Sequence, residues 1–123
     1  MTKTALVSFV ASRQHVSFAE IEQEFPEERG DQMMLLPGYP TIILWQGISG
    51  HLIDTIIDCL NDRTLTAHPM HFLAYLHDGA TIRLPIAKRK IQYKKPHWMP
   101  TMFMAPRDKT RRTKIKLSTW ETT

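Results

Sequence analysis

At 123 residues the chain has room for one core, and its net charge of +4 hides a division: residues 1–87 hold five Lys/Arg against ten Asp/Glu, residues 88–123 eleven against two. The lone cysteine, Cys59, excludes an intramolecular disulfide framework and fits a reducing cytosol. No stretch approaches the roughly 20 apolar residues of a membrane helix, and Arg13 and Gln14 cut the N-terminal apolar run too short for a secretory signal, so a cytoplasmic protein with no membrane partner is expected.

Leu6, Phe9, Val10 and Arg13 recur at helical spacing, which predicts a first helix over residues 4–13. "HVSFAEIEQEF" then carries a capping box. Ser17 can accept from the backbone N–H of Glu20 while the Glu20 side chain reaches back, and Val16 and Ile21 are spaced for a hydrophobic staple. Phe18, Ile21 and Phe25 form the inward stripe of this second helix, which Pro26 stops. Residues 27–40 read as a loop with a turn at "LPGYP", and "TIILW" at 41–45 as a strand. In "GHLIDTIIDCLND" Leu52, Ile53, Ile56, Ile57 and Leu60 make one wide apolar face, and Ser49 is the expected N-cap of this third helix.

Asp78-Gly79 fits a two-residue type I′ turn and predicts a hairpin that pairs Tyr75 with Ile82 and Leu73 with Leu84, inward on one face. Phe9, Phe18, Ile21, Phe25, Ile53, Ile56, Leu60, Leu73 and Leu84 are the expected core. Beyond Pro85 the chain carries the runs "KRK", "KK" and "KTRRTKIK" without a sustained period. An extended segment is expected there, docking through Trp98, Met102 or Phe103, then a tail from about Pro106. The organisation read from the sequence is thus a domain over 1–87 and a basic, partly disordered tail over 88–123.

The order helix, helix, strand, helix, hairpin resembles the winged helix-turn-helix superfamily. "SFAEIEQEF" stands for its second helix, "GISGHLIDTIIDCLNDRTLT" for its third, and "HFLAYLHDGATIRLP" for its wing. The small size, basic tail and "W-x-P" segment are also similar to accessory proteins of phages and prophages. The resemblance implies an α+β fold: a winged-helix-like domain of three helices, a short strand and a β-hairpin wing, followed by an extended basic tail. In such domains the third helix enters the major groove, which makes His51, Asp54, Thr55 and Asp58 the candidate recognition face.

The basic runs interleave with Tyr93 and Trp98, a composition suited to phosphate contacts with some stacking. Lys88, Arg89, Lys90, Lys94, Lys95, Arg111, Arg112 and Lys114 are the expected phosphate-binding residues on duplex DNA. A small DNA-binding protein, modulating transcription or replication and of mobile-element origin, is the expected function. The alternative is a protein-interaction module whose acidic third helix or Met-rich loop (Met33, Met34) binds a protein partner. The pattern sets no oligomeric state, a homodimer being one option.

No cofactor, metal or catalytic activity is expected. "HPMH" offers His68 and His71 without a Cys pair to complete a zinc site. Cys59 reads as a small packed hydrophobe, and the five glycines match no nucleotide-binding motif.

Overall fold

Two three-stranded sheets organise the chain. The structure is a computed structural model that describes residues 1–77 and 81–106. Helix α1 (Lys3–Arg13) leads into strand β1 (His15–Ser17), helix α2 (Phe18–Glu24) and one 3₁₀ turn (Pro26–Glu28). Strands β2 (Arg29–Leu36) and β3 (Tyr39–Ile48), helix α3 (Gly50–Asp62), strand β4 (Thr66–Pro69) and helix α4 (Phe72–His77) follow. Strands β5 (His97–Trp98) and β6 (Thr101–Met104) end the described part.

Local chemistry sets the helix starts. Thr2 caps α1 by accepting from the N–H of Ala5, and both halves of the Ser17/Glu20 capping box are made at α2. Ser49 accepts from the N–H of Leu52 and caps α3. Arg63 closes α3 in the left-handed conformation, φ +64°, a place more often taken by glycine.

One sheet runs β1-β6-β4, all antiparallel, with β6 in the middle. The other runs β2-β3-β5, antiparallel between β2 and β3 and parallel between β3 and β5. An aromatic cluster joins them. Phe103 of β6 meets Phe18 edge-on at 5.0 Å, and Phe18 stacks on Trp45 of β3 at 6.0 Å. Tyr75 of α4 lies 5.1 Å from both Trp45 and Trp98, each ring centroid to centroid. Such contacts each contribute about 0.5–1.5 kcal/mol beyond the area they bury.

This overturns the winged helix-turn-helix reading. Among the described residues there are four α-helices and two separate three-stranded sheets, in place of three helices with one hairpin wing. The wing fails at its first strand. Residues 72–77 are helical, which turns Tyr75 fully inward and leaves Leu73 56% exposed, so the expected Leu73–Leu84 core pair is not made. On the other side Leu84 donates its N–H to the carbonyl of Ile82, a tight turn that breaks any strand there. The Asp78-Gly79 turn itself lies outside the described residues.

The expected loop at 27–40 is largely strand. Pro37-Gly38, with Gly38 at φ +83°, makes a two-residue turn between β2 and β3. Four register shifts along this pair break the alternation that would have marked β2 in the sequence. Beyond Pro85 the residues expected to dock the extended segment do pack onto the body, while the tail from residue 107 lies outside the described residues. The chain from Ala87 returns as β5 and β6, with Trp98 and Phe103 fully buried and Met102 half-buried. Of the other expected core residues, Phe18, Ile21 and Ile56 are fully buried, while Phe9, Phe25, Ile53, Leu60 and Leu84 pack partly buried against them.

Candidate nucleic-acid interface

The basic residues 88–95 lie on a loop held at both ends. At its base the N–H of Ala87 donates to the carbonyl of Trp98 at 2.7 Å, and the N–H of Trp98 to the carbonyl of Pro85 at 2.8 Å. Within the loop the Tyr93 hydroxyl donates to the Arg89 carbonyl at 3.1 Å and accepts from the Arg89 N–H at 3.4 Å. Two side chains pin it to the β2–β3 hairpin. Gln92 donates to the Gly38 carbonyl at 2.8 Å, and the Thr41 hydroxyl to the Tyr93 carbonyl at 2.8 Å.

The cations do not act alike. Lys88, Arg89, Lys94 and Lys95 are exposed, and among the described residues none of them pairs with a carboxylate. Lys90 turns inward and is only 9% exposed, which separates it from the other expected phosphate contacts. Beside the exposed cations Tyr93 stacks on His97 with ring centroids 3.8 Å apart and planes 17° from parallel. Nδ1 of His97 is 2.8 Å from the Lys95 carbonyl, which fixes that ring in turn. Nothing in the spacing of "KRKIQYKKPHW" announces either the inward Lys90 or the Tyr93–His97 stack. Arg111, Arg112 and Lys114 lie outside the described residues.

Of the four α3 candidates His51, Asp54 and Asp58 are exposed, and Thr55 is not. Thr55 is buried and its hydroxyl donates to the His51 carbonyl at 2.7 Å. Nε2 of His51 lies 2.8 Å from the Met1 carbonyl oxygen. The Lys3 ammonium bonds Asp58 at 2.9 Å and also bonds Asp62, while Asp54 stands exposed. Nearby, the Met1 ammonium meets Glu27 at 3.3 Å and Glu28 at 3.4 Å. Its pKa is raised, chiefly by the hydrogen bond it donates to Glu27. The N-terminal segment therefore covers part of the surface that groove reading would need.

Cys59 is buried, and burial pushes its thiol pKa up. Among the described residues no three His, Cys, Asp or Glu side chains are grouped to hold a metal ion, and no helix is long and apolar enough to cross a membrane. No protein-family model, curated protein or solved structure matches the chain.

Proposed function

We propose that this protein binds nucleic acid, with duplex DNA as the ligand, through the loop over residues 88–97. The observation that supports this is four exposed cations that have no carboxylate partner among the described residues, carried on a loop tied down by side-chain and backbone hydrogen bonds. Pinning matters because a fixed cation loses little conformational freedom on meeting a phosphate. The stacked Tyr93 and His97 rings add a flat surface at the edge of the same patch, suited to an exposed base or sugar. A role in transcription or replication would rest on such binding.

The test is a duplex titration across a salt series with the full chain and with Lys88→Gln, Arg89→Gln, Lys94→Gln and Lys95→Gln combined. If all four meet phosphates, the log–log salt slope flattens by roughly three to four, at about 0.9 per contact. An unchanged slope, or no binding by the intact chain at low salt, would sink the proposal.

A second reading, a protein partner, is favoured by strand β2. It is an edge strand, and it exposes Met33 at 49% and Leu35 at 37%. Met33→Glu would abolish that contact and leave the DNA titration as it was.

A further inference from the structure

Lys90 of the basic loop lines a cavity of about 380 Å³, within the size range of small-molecule sites. Its wall is apolar and comes from four elements: Leu36 from β2, Leu44 from β3, Leu60 from α3 and Ala67 from β4. Ile57, 41% exposed, stands at its rim. Lys90 is the only ionisable Lys, Arg, His, Asp or Glu side chain among its lining residues, with the amide of Asn61 as a further polar group. We propose that this cavity binds a small amphipathic carboxylate, its apolar body against the leucines and its carboxylate on the Lys90 ammonium.

The chemistry follows from the lining. A wholly polar anion would strand its remaining oxygens against leucine side chains, where unmet acceptors are costly. A neutral apolar molecule would fill the space without using the one cationic side chain that lines it. An ammonium carries three donors, so Lys90 can serve a protein group and a ligand oxygen together. Lys88 and Arg89, adjacent to Lys90 in the chain and exposed, add to the positive field on this side of the molecule. The site is independent of nucleic-acid binding, which uses the outward cations.

Octanoate and octan-1-ol are the probes, because they share an apolar chain and differ in charge. Titrated into the full chain and followed by methyl and amide NMR, octanoate should shift Leu36, Leu44 and Ala67 saturably at low-millimolar concentration. It should bind about tenfold more tightly than octanol, the order set by one charge-assisted hydrogen bond. Lys90→Met keeps the apolar stem and should erase that preference without weakening octanol. Ile57→Trp, a change at an exposed rim position, should weaken both probes about tenfold by narrowing the mouth, and it serves if Lys90→Met fails to fold. Shifts confined to other surfaces, equal affinity for the two probes, or an octanoate affinity that survives Lys90→Met or Ile57→Trp would each overturn the proposal.

Discussion

The Tyr75 hydroxyl donates to the Thr101 carbonyl at 2.6 Å while accepting from the Phe18 N–H at 3.0 Å. One buried oxygen thus connects α4, β6 and the first residue of α2.

Tyr75→Phe keeps the ring and removes the bridge. The Phe18 N–H then stays buried without its acceptor, which costs about 1–3 kcal/mol. Tyr39→Phe is the control: Tyr39 is half-buried, and no hydrogen bond from its hydroxyl to protein is found among the described residues. Chemical denaturation should separate the two variants. Equal midpoints would show that the bridge contributes nothing.

Ile56 and Ile57 are neighbours with opposite fates, fully buried and 41% exposed. Ile56→Ala should cost on the order of 2–5 kcal/mol, and Ile57→Ala well under half as much. A loss below about half a kcal/mol for Ile56→Ala would place the wrong face of α3 inward.

Gly30 lies where β2 crosses the start of its bulge. A Cβ added there would stand 2.7 Å from the Ile48 carbonyl oxygen and 2.9 Å from the Ser49 Cα, both backbone atoms. Gly30→Ala should therefore destabilise by about 1–3 kcal/mol. At Gly50 the nearest neighbour is the Gln32 side chain at 3.2 Å, which can swing away, so Gly50→Ala should stay within about 0.5 kcal/mol of the parent. Thermal melts of the pair decide the point, and a harmless Gly30→Ala would mean that the hairpin can shift at the bulge.

Asp62 carries the one strongly shifted carboxyl among the described residues. The Lys3 ammonium first, and Thr64 second, pull its pKa down to about 2. The folded value lies below the ordinary one, so the stabilisation is complete above about pH 4 and is lost as pH falls toward 2. The pair is exposed, so Asp62→Asn should cost no more than about 1 kcal/mol at neutral pH. That gap should close through the acid window and shrink with added salt. A gap that persisted at pH 2 would come from the loop geometry at Thr64 and not from charge.

The starts of α2 and α3 were legible because capping is local: Ser17, Glu20 and Ser49 announce these helices within four residues. Among the strands β3 was legible too, through the β-branched "TIILW", but the others were not, because their partners are remote. His15 pairs with Met104 and Thr66 with Met104 as well, so "TMFM" has meaning only beside segments far away in the chain. Asp78-Gly79 was a genuine local signal for a hairpin. The strand expected before it is not formed: residues 72–77 are helical, and from that turn Tyr75 makes both of its buried hydrogen bonds. For the basic loop, composition identified the charge. The division between outward Lys88, Arg89, Lys94 and Lys95 and inward Lys90 depends on contacts with the β2–β3 hairpin that no spacing encodes.

The position of β6 between β1 and β4 also orders events during synthesis. The middle strand of that sheet is the last described element made, so β1 and β4 leave the ribosome with unpaired edges and wait for residues 101–104. Until then Phe18 lacks Phe103 against it, and an apolar surface stays open to solvent or to a chaperone. Closing loops of this length before any pairing energy is gained slows the search, so this sheet should close only once residues 101–104 have emerged, rather than from the N-terminal side onward. A nascent chain stalled before residue 101 would carry two strands with the same missing neighbour, and β6 of a finished copy could supply it.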